Sequence, residues 1–399
     1  MALPTLLVIA FVLVVRVLTL GTPTTGSAEA SISTGLGFMW NPEKVMLEIQ
    51  APSMNEAQPA WIKVREVVGS EMMAQALAEI DDSAKGSLRL RTITLWEQLS
   101  KPRLWLAAAS QIFFSLSVGF GLIATYASYL KKKDDIVLSS LSAAGANEFS
   151  EVALGGLLTI PAAVAFLGIG ALAGQTSLFS LGFQALPMVF AQMPGGDFFG
   201  FLFFMLLFLA SVSGCLSTLQ PGIAFLEEAL PTIRKQSIAI LGFVVAIGAF
   251  MVFYFSEGVK ALDTLDFWVG SFLIFIMATT YSIMFGWVMP LDNAWVEAHE
   301  GSALKIPRIF RPIIKYLCPI FLLAIFACWM GYNLFSIGST GLDPHVADLV
   351  GDASTGAKPN YIARIAVCFV LMIFTFYALL ASGVNRYNEL CDQAKGGAQ

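Results

Sequence analysis

The sequence predicts an all-α polytopic membrane protein with eight transmembrane helices, one of them broken, and three observations carry that prediction. Hydrophobic residues make up 57% of the 399 and charged residues 13%, where soluble domains run at about 45–50% and about 25%. Eight stretches, roughly 3–20, 104–130, 138–167, 197–226, 237–255, 267–289, 314–335 and 361–382, are apolar over the ~20 residues that a helix needs to cross hydrocarbon. Lysine and arginine gather in alternate short loops, as they do in proteins threaded through a bilayer. Disordered, collagen-like and disulfide-rich classes fail on the same composition. Long apolar runs, in place of ten-residue alternations, exclude an outer-membrane barrel.

The first span, residues 1–21, is interrupted by Arg16 and has no basic residue ahead of it. Ala28-Glu29-Ala30 resembles a signal cleavage site, but the missing basic start favours a membrane helix. Residues 22–102 form the one large polar segment, read as an extracellular loop with an insertion. Its spacing of Trp61, Val64, Val67 and Val68 suggests an amphipathic helix. Residues 103–291 hold five spans, 292–313 a cytoplasmic loop, 314–384 two C-terminal spans and 385–399 a cytoplasmic tail. The cytoplasmic assignment rests on Lys131, Lys132, Lys133, Arg234, Lys235, Lys305, Arg308, Arg311, Lys315, Arg386 and Lys395 on one side. The other side has little beyond Lys260, Lys358 and Arg364 in its short loops. Both termini are thereby expected on the cytoplasmic side.

A net charge of −5 gives nucleic acid no basic face. Four of the five cysteines, Cys215, Cys318, Cys328 and Cys368, lie in apolar runs and read as small hydrophobes, with Cys391 in the tail. His299 and His345 are far apart, which argues against a histidine metal site. No catalytic triad, phosphate loop or metal cluster is present, so the chain does not read as an enzyme and implies no organic cofactor.

The second span contains Ser115, Ser117, Gly119 and Gly121 in an otherwise good membrane helix. Glycine costs about 1 kcal/mol against alanine in a helix interior, and freed backbone groups in lipid cost several kcal/mol unless something polar meets them. A break at 115–121 over an ion and a solute, or a close helix contact through small residues, both fit the pattern. In the third span Asn147 and Glu151 share a helix face. Glu148 reads as wet at the cytoplasmic end, whereas Glu151 is a functional candidate as an intramembrane acid. In the fourth, Ala210, Ser213, Gly214, Ser217 and Pro221 form a small and hydroxyl-bearing stripe, either a packing seam or a source of oxygens for a hard cation. Together they suggest a midplane site for an ion and a small polar solute.

These residues resemble the neurotransmitter:sodium symporter family, in particular its bacterial amino-acid transporters. The matching motifs are QIFFSLSVGFGLIATYASY (111–129), DIVLSSLSAAGANEFSEVALGG (135–156), QPGIAFLEE (220–228), LDTLDFW (262–268) and KIPRI (305–309). The resemblance implies a LeuT-like fold built from two inverted five-helix repeats. Within it this chain corresponds to helices five to twelve of twelve, with 103–291 as the second repeat and 44–94 as an insertion. The helix bearing the Asn-x-x-Arg-Phe-Pro pattern, which supplies half of the family's site, has no counterpart here. The chain is therefore expected to be N-terminally truncated, with the rest upstream or on a separately encoded N-terminal half, and not to transport alone.

By resemblance, Ser115 and Asn147 match first-site sodium ligands, and Ala210 and Ser213 second-site ligands. Gly214 stands where the family commonly has a further hydroxyl, and loss of that ligand costs ~1–3 kcal/mol unless water replaces the oxygen. Phe114, Ser117, Phe120 and Thr218 match the substrate pocket, Glu151 a carboxylate substituting for chloride, and Asp266, Glu228 and Tyr129 the gates. The resemblance thus implies sodium-coupled symport of an amino acid or related small solute, with Na+ as co-transported ion. Its expected partners are the solute and the lipid bilayer, with no nucleic acid. The alternative is a transport-dead fragment or a non-transporting membrane binding protein.

Overall fold

In the computed structural model the described residues are 2–20, 31–40, 44–50, 61–67, 73–74, 77–78, 88–173, 179, 182–183, 186–230, 232–255, 257–335, 342–353 and 356–396. In chain order the main elements begin with α1 (Ala2–Leu18), α2 (Ile32–Trp40), β1 (Val45–Gln50), β2 (Trp61–Val67), β3 (Leu88–Thr92) and α3 (Leu95–Leu99). Then come α4 (Pro102–Ser115), α5 (Leu122–Ala127), α6 (Ile136–Phe166), α7 (Leu186–Gln192), α8 (Gly196–Ala229) and α9 (Arg234–Tyr254). The chain continues as α10 (Lys260–Val288), α11 (Leu291–His299), α12 (Phe310–Asn333), α13 (Pro344–Val350) and α14 (Tyr361–Gly396).

Six helices among the described residues are long and apolar enough to span a membrane: α6, α8, α9, α10, α12 and the Tyr361–Gly383 part of α14. Eight spans, one of them broken, were expected, and the difference in the number of long helices has two local causes. The apolar part of α1, Pro4–Leu18, is short. The second expected span stops after the 14 residues of α4 and resumes only at α5.

Contacts divide the chain into two compact units, Met1–Ser100 with Ala143–Gly214, and Lys101–Ser142 with Cys215–Gln399. In the first, Leu13, Val14 and Val17 of α1 pack with Leu154, Leu158 and Ala162 of α6 and with Leu186, Val189 and Phe190 of α7. Glycine is required where α2 meets α6, because a Cβ on Gly35 would stand 2.5 Å from the Cα of Pro161. Arg16, the charge inside the first apolar run, donates from Nη2 to the carbonyl of Pro194 at 2.8 Å. Its guanidinium also lies 5.2 Å from the Phe199 ring centroid. A cation here thus sits near the C-terminal end of α7, where carbonyls lack helical partners.

The same unit contains an antiparallel sheet of order β2-β1-β3. Val45 pairs with both Val67 and Thr92, and a bulge falls between Leu47 and Glu48. The amphipathic helix expected around Trp61–Val68 is therefore corrected to a strand over Trp61–Val67. Trp, Ile and Val are strand formers once a partner strand covers them, and the sheet buries Leu47 and Val67 together. Buried Glu48 accepts from Arg91 at 3.1 Å, and Arg91 also bonds Glu97 at 2.6 Å. Glu97 closes a capping box with Thr94 at the start of α3. The Arg91 bond followed by the Thr94 amide holds its carboxyl below the usual range.

In the second unit Leu106 of α4, Phe275 of α10 and Leu322, Ile325 and Trp329 of α12 form one core. A second core joins Ile223 and Leu226 of α8 to Leu241 of α9, with Tyr377 and Leu380 of α14 against it.

Candidate functional site: a helix broken between α4 and α5

The α4 helix ends in a Schellman-type closure. Val118 N–H donates to the Phe113 carbonyl at 2.8 Å and Ser117 N–H to that of Phe114 at 3.0 Å, the 6→1 and 5→2 bonds of that motif. Ser117 takes the left-handed position, φ 57°, that glycine usually fills. Gly119 (φ 96°) and Gly121 (φ 78°) continue the reversal, and α5 then starts at Leu122 with Thr125 N–H bonded to the Gly121 carbonyl. The close-contact alternative is met at the same residues. A Cβ on Gly119 would lie 3.0 Å from the carbonyl oxygen of Ile274 in α10, and one on Gly121 3.4 Å from Cβ of Pro221 in α8. The small residues thus serve both the break and the packing of the break.

Phe114 and Phe120, on opposite sides of the break, meet edge to face at 5.5 Å. Ser110 donates to the carbonyl of Ser271, tying α4 to α10. A Cβ on Gly270 would lie 3.1 Å from an Asp266 carboxylate oxygen and 3.7 Å from the Phe114 ring. Asp266, Gly270 and the Phe114 ring therefore share one neighbourhood, with Phe120 packed on Phe114. Thr218 lies on α8 three residues before the Pro221 that faces Gly121.

Asp266 begins a wide π-helical segment, Asp266–Leu273, and Glu151 lies in another, Phe149–Gly156, one residue after α-helical Glu148. Such segments recur at functional sites. Asn147 precedes this wide turn, so the i,i+4 spacing of a regular helix does not describe its relation to Glu151. In the other unit, Ser213 Oγ donates to the carbonyls of Leu209 at 2.9 Å and Ala210 at 3.0 Å. Ala210 O and Ser213 Oγ thus form a close oxygen pair on one face of α8, a separation that two ligands of one cation can share. A Cβ on Gly214 would meet no described atom within 4 Å. Ser115 and Asn147 fall in different units.

Of the gate residues, Tyr129 is exposed just past α5 and Glu228 is exposed near the end of α8. Arg234 at the head of α9 lies 3.8 Å from neighbouring Glu227, and its Nη2 donates to Gln220 at 2.8 Å. Two features escaped sequence reasoning. Tyr126 and Ser217 hydroxyls are 2.8 Å apart, joining α5 to α8; no local signal announces a contact 91 residues apart in sequence. A charged cluster also sits beside Asp266. His345 stacks on Phe267 with centroids 4.1 Å apart, Arg103 pairs with Asp343 at 3.3 Å, and Lys260 with Asp348 at 2.5 Å. Burial pushes the His345 imidazole below its ordinary 6.5; Asp343 and Asp348 oppose that shift, and Arg103 and Lys260 add to it.

Residues 82–338 match the family described as the sodium:neurotransmitter symporter family. Over 252 residues the chain is 29% identical to a sodium-dependent transporter of Haemophilus influenzae, covering 60% of this chain and 54% of that one. A sodium-dependent transporter of Methanocaldococcus jannaschii is 27% identical over 55% of this chain and 45% of its own length. The human sodium- and chloride-dependent neutral and basic amino acid transporter B(0+) is 25% identical over 62% and 40%. The chain thus spans about half the length of the curated relatives it matches. Among solved structures, MhsT in complex with L-phenylalanine superposes with a TM-score of 0.56 at 22% identity, covering 82% of this chain and 60% of that one; the likeness is one of fold. The family consists of transporters and not enzymes. A broken membrane helix, apolar spans on either side of it and a family match across 82–338 lead to one assignment: the chain belongs to the sodium:neurotransmitter symporter family and has its LeuT-like helical fold.

Proposed function

We propose that the chain forms part of a sodium-coupled symporter that moves an amino acid or related small solute across the plasma membrane, with both termini cytoplasmic. The observation that carries this reading is the break at Ser117–Gly121. A membrane helix opened there needs a polar partner for its backbone, and half-helix ends inside a bilayer suit small charged solutes and cations. Phe114, Ser117, Phe120 and Thr218 line the solute position. Ser115 and Asn147 bind the first sodium ion, and the Ala210–Ser213 oxygen pair the second. Glu151 supplies the negative charge that chloride supplies in chloride-dependent relatives, and Asp266, Glu228 and Tyr129 belong to the gates. The amino-acid and sodium-dependent names of the relatives support the substrate and the ion.

Coupling follows from shared electrostatics. A solute carboxylate and sodium in one low-dielectric cavity each favour the other's binding. A membrane potential adds about 2.3 kcal/mol per charge per 100 mV. Uptake by proteoliposomes carrying the full gene product tests the reading. A labelled amino acid should accumulate under an inward sodium gradient and more strongly with a negative interior. Equal accumulation in sodium and potassium across the amino acids would refute it.

A further inference from the structure

A cavity of about 560 Å³ lies where the end of α10 meets the start of α12, lined by none of the residues of the break. Its walls include Trp287, Asp292, Arg311, Lys315 and Tyr316. The wall is pinned by Trp287, whose indole N–H donates to the Lys315 carbonyl at 2.6 Å. Close backbone approach reinforces it, since a Cβ on Gly286 would lie 3.1 Å from the carbonyl oxygen of Ile314. Lys315 belongs to a wide π-turn, Ile313–Leu317, at the entrance of an apolar span.

The chemistry is that of a bilayer interface. Two cations face the cavity; Arg311 is paired with Asp292 and lies 6.0 Å from the Trp295 ring centroid, and the Lys315 ammonium stands 5.3 Å from that of Tyr316. Exposed Lys305 and Arg308 precede them in the loop. Toward the hydrocarbon side the surface turns apolar: Val288 is 70% exposed, Leu317 60% and Ile320 55%. Tyrosine and tryptophan at headgroup depth, cations beside them and bare aliphatic side chains below match a phospholipid from phosphate to acyl chain.

We propose that this cavity seats the headgroup phosphate of an anionic phospholipid between Arg311 and Lys315, with the acyl chains along Val288, Leu317 and Ile320. Asp292 competes with the phosphate for Arg311 and so limits the affinity. The proposal rests on the membrane-spanning reading with this loop at the cytoplasmic face, but not on sodium coupling, so lipid binding and uptake can fail separately.

Native mass spectrometry of the detergent-purified full gene product, titrated with phosphatidylglycerol or phosphatidylcholine, provides the test. Phosphatidylglycerol should bind preferentially, and Arg311→Gln with Lys315→Gln should weaken it by about fivefold or more per cation removed. Asp292→Asn should tighten it. Replacing Lys131, Lys132 and Lys133 with glutamine should leave it unchanged, which separates a built site from general surface charge. Equal retention of the two lipids would overturn the proposal, as would equal loss in the Lys131–Lys133 variant or displacement of the lipid by micromolar glycerol phosphate. Circular dichroism and elution volume identify any variant that fails to fold, and the gain expected for Asp292→Asn cannot arise from misfolding.

Discussion

Ser117 is the residue on which the break turns. A side chain in the left-handed region costs roughly 1–2 kcal/mol, and serine at φ 57° carries that cost where glycine would not. Ser117→Gly should therefore raise thermal stability by up to about 1 kcal/mol while weakening solute binding through loss of the hydroxyl. Ser117→Val should lower stability by more, since β-branched side chains fit this region worst. Melting curves in detergent, read beside solute affinity, separate the two effects. Glu151 makes a different claim. If its carboxylate replaces chloride, uptake by the parent protein should survive exchange of chloride for gluconate, and Glu151→Ser should fall at least tenfold in gluconate and recover in chloride. A variant equally active in both anions would remove that role.

Elements differ in how plainly the residues announce them. The break was legible because glycine and serine inside an apolar run of about 20 residues conflict with an uninterrupted membrane helix. The π-segments at Phe149–Gly156 and Asp266–Leu273 were not legible. Widening a turn shifts the hydrogen-bond register by one residue and leaves no composition signature. The strand Trp61–Val67 was misread for a related reason: Trp61, Val64 and Val67 satisfy a helical spacing, and only the β1 partner decides for sheet. Two predictions belong at this scale. Gly119→Ala, at φ 96° and with Ile274 O 3.0 Å from the added Cβ, should push the α4–α5 reversal from α10 and cost about 1–3 kcal/mol, visible as a lower melting temperature. The other concerns α13, where burial holds the His345 pKa below 6.5. The unfolded chain then takes up its proton first, so stability is full above pH 6.5 and declines as pH falls toward the lower folded value. Asp343 at the cap of α13, Asp348 within it, Arg103 on α4, and Lys260 and Asp266 on α10 face this imidazole. A His345→Gln variant should flatten the melting temperature between pH 8 and 5; an unchanged slope would assign the dependence to another group.

For the whole molecule, composition and the spacing of apolar runs were enough to read a helical membrane protein, and five ordered motifs were enough to read the family. The number of long spans was less legible: eight were read, one of them broken, where the described residues hold six, because the apolar helix of the first run covers only Pro4–Leu18 and the break shortens the second. Long-range joins such as Tyr126 to Ser217 and the charged cluster around His345 depend on tertiary placement, which neither periodicity nor local propensity encodes. At this scale the central claim is that the backbone opened around Ser117–Gly121 meets sodium and solute. Hydrogen–deuterium exchange of peptides spanning 113–125, in the full gene product, addresses it most directly. Sodium together with a transported amino acid should slow amide exchange in that segment by about tenfold or more relative to potassium, with peptides of α9 unchanged. Identical exchange in the two salts, with and without amino acid, would contradict the account.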